Sequence, residues 1–485
     1  MGVILESFTW EPNALLYFVL ATCILLIVAV SRTSSSSFPS SSSTPDRRKS
    51  NIVRGKSHFP FDFSTDAPCR FHRHLLLIYS LASVMEGMWS VIGEFEFDYF
   101  GISKEDIITS LCLGYSASLL VGSFLGVLSD LVGHKKVCLL FCIIHFVVAA
   151  WKRITGHPGL WFTSVCLSLA TSISSTSFEA WLVVENELQS YRNDVLTETF
   201  LLMTFVDSLM LVGSQVLTNR VLGNNIERGN TSFSTVAIFF STIGIGYLIQ
   251  GKREDSWMKD TRVYKQSFIR LLQDKQVWLL GLSHTCLHFA VAVVWLLWAP
   301  TLVADGRDVN LGLVFPSLMG ARMLGCAIFQ YLSSCPSAPR SEDFLAYAFV
   351  VSGLVLSLVA YDYQVRRKFT FQKYPSSSPS FEAQEIGILV ILFSLFHAAV
   401  GLILPSLARL RTMHIPNDLR GGVISLSLAP ANAAMLFLLI QRGYYQNMEN
   451  STMMALAATA LFAAAAAMQF LKRLGKQLHH SNHKL

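Results

Sequence analysis

The sequence predicts an all-α membrane protein made of two six-helix halves, with one extra transmembrane helix ahead of them. Three observations carry this. Hydrophobic residues fill 52% of the 485 positions and charged ones only 14%, with a mean hydropathy of +0.45, a balance suited to lipid rather than water. Apolar runs long enough to cross a bilayer recur between short polar breaks, and a longer polar stretch separates six of them from six more. Arginine and lysine favour alternate breaks, as they do where a chain weaves through a membrane.

Asn13 to Val30 is the first apolar run. Glu6 and Glu11 precede it and Arg32 follows, so the charge bias places its N-terminus outside. Cleavage there, as of a signal peptide, would invert every later span against its basic loops, so residues 1–31 are expected to be a retained helix. Residues 32–72 read as a Ser-rich, basic, disordered cytosolic linker. The N-terminal half, 73–250, holds spans near 74–98, 106–129, 136–154, 159–184, 197–220 and 232–250. The cytosolic bridge, 251–276, places Tyr264, Phe268, Leu271 and Leu272 at helical spacing among Lys and Arg. That pattern predicts an amphipathic helix lying on the membrane. The C-terminal half, 277–472, holds spans near 277–302, 311–333, 343–361, 385–409, 421–441 and 452–471, and 473–485 is a basic cytosolic tail.

This threading places 26 of the 38 Lys and Arg residues in the cytosol and 11 outside, with Arg322 inside a span. One outside loop dissents, carrying Arg366, Arg367, Lys368 and Lys373, but charge bias controls late spans weakly. The two glycosylation sequons, Asn230 and Asn450, both fall in outside loops. None of the nine cysteines lies in an outside segment, so free thiols are expected. The modest net charge of +6, without a long basic run, gives no case for nucleic acid. No nucleophile–base pair or metal-ligand set appears, so neither an enzyme nor a cofactor is expected.

Ionisable groups within hydrocarbon cost several kcal/mol unless paired or facing water, so each is a candidate for function. Counted from the span centres, Glu86, His288, Arg322 and His397 fall near the midplane, and Glu179, Asp207 and His284 lie toward the cytosol. Arg322 needs an anion or a carboxylate beside it. Glu86, Glu179 and Asp207 suit proton coupling or charge pairing. His284 and His288 are one turn apart on one face, yet lack a third partner for a metal. His145 reads as a satisfied packing residue.

Between the second and third spans runs GVLSDLVGHKK, residues 126–136. Gly126 and Gly133 permit a close turn, Asp130 can cap a neighbouring helix N-terminus, and Lys135 and Lys136 face anionic headgroups. The spacing resembles the cytosolic hairpin of the major facilitator superfamily, with His134 in its first basic slot. That resemblance implies the superfamily's fold, with spans 1, 4, 7 and 10 around a central cavity, spans 2, 5, 8 and 11 flanking it, and a gating role for the hairpin.

A narrower resemblance follows from Ser177–Phe178–Glu179–Ala180–Trp181, from Leu279–Gly281 and Leu297–Pro300, and from the run Gly401 to Ser406. These resemble blocks of the molybdate-anion transporter family. The likeness implies a secondary transporter of a small oxyanion, molybdate, with the superfamily's alternating-access fold; a monomer in the plasma membrane, with protons as coupling ion, is the expectation set beside it. Arg322, His284, His288 and His397 would then bind substrate. Four positions, in three spans, depart from that family's pattern. Glu86 alone stands for its first-span acid, His284 and His288 replace Gln and Glu, and Arg322 replaces a small residue. The alternatives are a proton-coupled carrier of sugars or other organic solutes, and a non-transporting membrane scaffold with the same fold.

Overall fold

The computed structural model describes residues 10–36, 68–99, 101–155, 159–189, 193–222, 226–250, 261–304, 307–334, 340–371, 379–445 and 448–482. Helix α1 spans Ala14–Ser36. The N-terminal half comprises α2 (Pro68–Tyr99), α3 (Lys104–Ala117), α4 (Ser123–Val132), α5 (His134–Thr155), α6 (Leu160–Leu188), α7 (Asn193–Leu222) and α8 (Ile226–Gln250). Thr261–Leu271 forms α9, in the bridge. The C-terminal half comprises α10 (Lys275–Leu302), α11 (Leu311–Ser334), α12 (Ser341–Phe371), α13 (Pro379–His414), α14 (Arg420–Gly443) and α15 (Asn450–Asn482).

Local chemistry sets several boundaries. Ser103 caps α3 by accepting the Asp106 N–H, and Asp274 caps α10 by accepting that of Gln276. Gly133 ends α4 at a φ of 111°, where a side chain would be strained. A π-helical turn, Ser118–Gly122, joins α3 to α4, so the two make one continuous span.

Eleven of the described helices are long and apolar enough to cross a membrane. Helix α6 is equally long, 29 residues, but nine serines and threonines between Thr163 and Ser177 lower its hydropathy. It places several of them against α3 and the π-helical turn, where Ser164 Oγ donates to the Ser110 carbonyl at 2.6 Å and Ser118 Oγ of the turn donates to that of Ser168 at 3.1 Å. Several helices outrun the expected spans, among them α12, which continues to Phe371, and α15, which continues to Asn482.

Each half encloses its own apolar core, around Phe141, Ile173 and Phe178 in the first and Leu297, Val314, Phe349 and Phe393 in the second. Although α1 precedes the first half in sequence, it packs on α11 of the second. The Trp10 N–H donates to the Asp308 carbonyl at 2.8 Å, the Asn310 N–H returns a bond to Trp10 at 3.1 Å, and the indole N–H reaches the Ala383 carbonyl. Leu20 lies against Gly320.

Two expectations need correction. The apolar face of α9 is turned onto protein rather than lipid: Tyr264 is buried, and Phe268 and Leu271 pack on Val277, Ile415 and Val423. The phenol supplies the reason, because its hydroxyl finds a buried carboxylate there. His145 is buried, but neither ring nitrogen has a partner among the described residues, and the Phe141 ring lies 4.5 Å from its own.

Candidate functional site

Near the middle of the bundle, Arg322 of α11 meets Asp207 of α7 across the two halves, Nη2 to Oδ2 at 3.0 Å. Asp207 also accepts a bond from Ser83 Oγ of α2 at 2.8 Å. Helix α11 is held at this depth by backbone contact with α13. A Cβ on Gly401 would lie 2.0 Å from the Arg322 carbonyl oxygen, and one on Gly325 would lie 1.9 Å from that of Ala398. Arg322 Nε is buried without a partner among the described residues, so the guanidinium is not fully committed to Asp207.

His284, His288 and His397 join Arg322 in lining one cavity of about 230 Å³, set wholly within the C-terminal half. His284 Nδ1 lies 2.7 Å from Ser427 Oγ of α14, and His397 Nδ1 lies 2.8 Å from the Phe393 carbonyl, which fixes that nitrogen as the donor. Trp295 meets His397 edge to face at 5.8 Å. The four residues expected to bind substrate are therefore together. Glu86 is elsewhere, between α2 and α6, where it accepts a bond from Ser174 Oγ at 2.8 Å.

A second, larger cavity of about 540 Å³ lies between the halves. Ser110 and Leu160, near the starts of α3 and α6, and Lys152, near the end of α5, line it, so it lies toward the end of the bundle opposite the Gly126–Lys136 hairpin. His288, Val291 and Trp295 line both cavities.

At the hairpin end the halves are in close contact. Asp130 accepts the Gly421 and Gly422 N–H groups at 3.1 and 2.8 Å, capping the N-terminus of α14, and Tyr264 donates to it at 3.0 Å. Burial, and then the Asp130 carboxylate, push the Tyr264 phenol above its ordinary pKa, so it stays a donor. Gly126 is required by sterics: a Cβ there would lie 2.0 Å from the Gly421 carbonyl oxygen. Gly133 and His134 are buried, Lys135 is half-buried and Lys136 exposed. His134 Nδ1 lies 2.7 Å from Ser129 Oγ.

Glu179 completes this end by pairing with two arginines of the other half. Arg411 Nε donates to it at 3.0 Å, with a second contact from Arg411 Nη2, and Arg420 Nη1 at 3.3 Å. Sequence reading misses both arginines, since they fall at span ends and count there as solvated loop charges. The structure buries them, with Arg420 fully inaccessible. A carboxylate within the apolar S-F-E-A-W block is the one signal that such partners exist.

The two sequons do not lie in open loops. Asn230 falls within α8, and Asn450 begins α15, its amide donating to the Tyr363 hydroxyl at 3.2 Å. No disulfide joins any two of the seven described cysteines. Among the described residues no three His, Cys, Asp or Glu side chains converge to hold a metal ion.

Residues 61–369 match the family described as sugar transporters with 12 transmembrane helices, within the major facilitator superfamily. The molybdate-anion transporter of Xenopus tropicalis is 24% identical over 370 residues, covering 75% of this chain and 77% of that one. Its counterpart in Danio rerio is 22% identical over 386 residues, covering 73% and 76%. Among solved structures, the E. coli fucose:proton symporter superposes with a TM-score of 0.59 at 12% identity, over 82% of this chain and 98% of that chain. A bacterial homologue of the iron transporter ferroportin, in an outward-facing state, gives 0.60 at 15% identity, over 83% and 100%. Fold and relatives alike are those of multi-pass membrane transporters rather than enzymes. With its paired six-helix halves and the match over most of its length, the chain belongs to the major facilitator superfamily, as a divergent relative of the molybdate-anion transporters.

Proposed function

We propose that the protein carries a small tetrahedral oxyanion, molybdate, across the plasma membrane by alternating exposure of its central cavity. The observation that carries this reading is the convergence of Arg322, His284, His288 and His397 on one 230 Å³ pocket. Its volume of about 230 Å³ leaves room for a tetrahedral ion. A dianion there needs cationic and strongly donating groups in place of its hydration; the Arg322 guanidinium supplies the charge, and His397, whose Nδ1 already donates to the Phe393 carbonyl, adds a donor at Nε2 only in its protonated form.

Asp207 gives the pocket a coupling device. An arriving oxyanion competes with its carboxylate for Arg322, and repulsion between the two favours a proton on Asp207. The hairpin is read as cytosolic, so the contacts of Asp130 and Glu179 form the closed inner gate, and the larger cavity opens outward. Rocking one half against the other would break these contacts and close the outer end. The protein acts as a monomer in this reading, with its substrate pathway contained between its own halves.

A sugar or organic-solute carrier is the second reading. The family description and the hydroxyl-lined larger cavity favour it, with Glu86 as the carboxylate that would bind substrate hydroxyls. Uptake into molybdate-starved, transporter-deficient cells separates the readings, with labelled molybdate, sulfate and a hexose run in parallel. Oxyanion uptake that depends on Arg322 supports the first. Hexose uptake that depends on Glu86 supports the second, and a protein indifferent to both substitutions is a scaffold.

A further inference from the structure

We infer that the two cavities together hold one ligand, a monoester of a tetrahedral oxyanion, with its anionic head on Arg322 and a hydroxylated carbon body in the larger cavity. Such esters are then carried beside the free oxyanion, and the inference rests on the oxyanion reading above.

Size divides the two spaces. The Arg322 pocket, about 230 Å³, is smaller than the roughly 300–1,000 Å³ of sites that hold a whole organic molecule, whereas the larger cavity, about 540 Å³, falls within that range. His288, Val291 and Trp295 stand at i, i+3 and i+7 on α10 and line both spaces. One helix face is therefore their common wall, along which a ligand can lie with an end in each. A monoester suits this arrangement, because it keeps three terminal oxygens and most of a double negative charge at neutral pH. Its head meets the guanidinium as the free oxyanion does, and its ester oxygen leads out along the shared wall.

The larger cavity offers what a hydroxylated body needs. Asn432 of α14 lines it and is 6% exposed, yet its carboxamide has no hydrogen-bond partner among the described residues. Tyr115, on α3 of the other half, lines it too, and its hydroxyl is likewise without one. A polar group withdrawn from water without a partner is costly, so such groups mark where a ligand supplies one. Together the carboxamide and the phenol both donate and accept, as ligand hydroxyls do. Ser110, Ser118, Ser164 and Ser175 give their own protons to backbone carbonyls, so what they present is lone pairs, which accept from hydroxyls and repel an anion. The Tyr115 and Trp295 rings supply apolar surface for the carbon skeleton. The body thus touches both halves, through Asn432 and Tyr115, while the head is held by Arg322.

Uptake of labelled inositol monophosphate and of labelled molybdate into vesicles carrying the full-length protein tests this, with unlabelled inositol and inorganic phosphate as competitors. Both labels are expected to enter. Inositol monophosphate should inhibit molybdate uptake at about one tenth the concentration that inorganic phosphate requires, and inositol alone should not inhibit. Asn432→Leu and Tyr115→Phe should each lower kcat/KM for the ester about five- to tenfold relative to that for molybdate. Arg322→Gln should abolish uptake of both. An ester that stays outside while molybdate enters, or that inhibits no better than inorganic phosphate, would overturn the inference and leave the oxyanion reading standing. Failure of both labels to enter would end that reading, and this inference with it. An equal loss for ester and molybdate in Asn432→Leu and Tyr115→Phe would mark the two as packing residues, and ester uptake that survives Arg322→Gln would put the head elsewhere; either result overturns the shared site.

Discussion

Removing Arg322, Asp207 or both separates a guanidinium that binds anion from one that only pairs with a carboxylate. Arg322→Gln leaves Asp207 with Ser83 Oγ at 2.8 Å as its described partner. One-sided loss of a buried pair costs about 3–5 kcal/mol, because the remaining charge is stranded. Here the side chains are 14% and 16% exposed, so some water reaches the pair and the lower end applies, about 3 kcal/mol. Asp207→Asn added to Arg322→Gln removes the stranded charge, and most of that stability should return in thermal unfolding of the detergent-solubilised protein. Uptake should not return. A lost charge-assisted contact of about 1.5–3 kcal/mol weakens anion binding roughly 10- to 150-fold whatever becomes of the carboxylate. Arg322→Lys keeps the charge without the planar fork and should fall between. Glu86 lies on Ser174 instead, so Arg322→Gln with Glu86→Gln should recover neither property. Restored oxyanion uptake in Arg322→Gln/Asp207→Asn would refute the binding role and leave a structural ion pair.

Further substitutions probe the hairpin end and the threading. Asp130→Asn weakens a carboxylate that accepts three bonds, and should lower turnover about tenfold while changing apparent affinity less, as initial rates at equal surface expression would show. Gly126→Ala forces a methyl against the Gly421 carbonyl and should abolish uptake by preventing closure; a wild-type rate would show that the halves need not approach there. Burial raises the Tyr264 pKa above its ordinary 10.0, so the phenol's contribution is complete below pH 10 and is lost as pH rises beyond it. Thermal unfolding of Tyr264→Phe should accordingly be less sensitive to alkali than that of the wild type. An epitope tag at Ser40, outside the described residues, should be reached by antibody only after permeabilisation; staining of intact cells would reverse the threading.

How far the fold is legible in the sequence depends on what each element needs to announce itself. Apolar runs broken by polar turns declare a membrane helix by composition alone, so the spans of both halves can be read, with ends that stop short wherever a helix continues into polar sequence, as α12 does to Phe371. The docking of α1 on α11 cannot be read. It depends on Trp10 and the 308–310 backbone, nearly three hundred residues apart, and no periodicity records such a contact. The amphipathic pattern of α9 predicts a helix with one apolar face, but it is silent on whether lipid or protein covers that face. Tyr264 decides for protein through a single bond to Asp130.

Charges inside the bundle divide in the same way. Arg322 is conspicuous because a guanidinium interrupts an apolar run, whereas Arg411 and Arg420 are hidden in a stretch where arginines usually signal only topology. Both sets serve one physical requirement. Asp207–Arg322 and Glu179 with its two arginines join one half to the other, and each is substantially buried. An apolar interface of that extent would weld the halves together, since burial is favourable wherever it occurs. A buried ion pair is different: desolvation offsets most of its Coulombic gain, so it sets the register of the halves while adding little net stability. When the pair breaks in the proposed cycle, an oxyanion on Arg322 and a proton on Asp207 would replace the lost partners. In the proposed cycle the halves can therefore separate at the pairs and reclose without crossing a deep energetic minimum in either state.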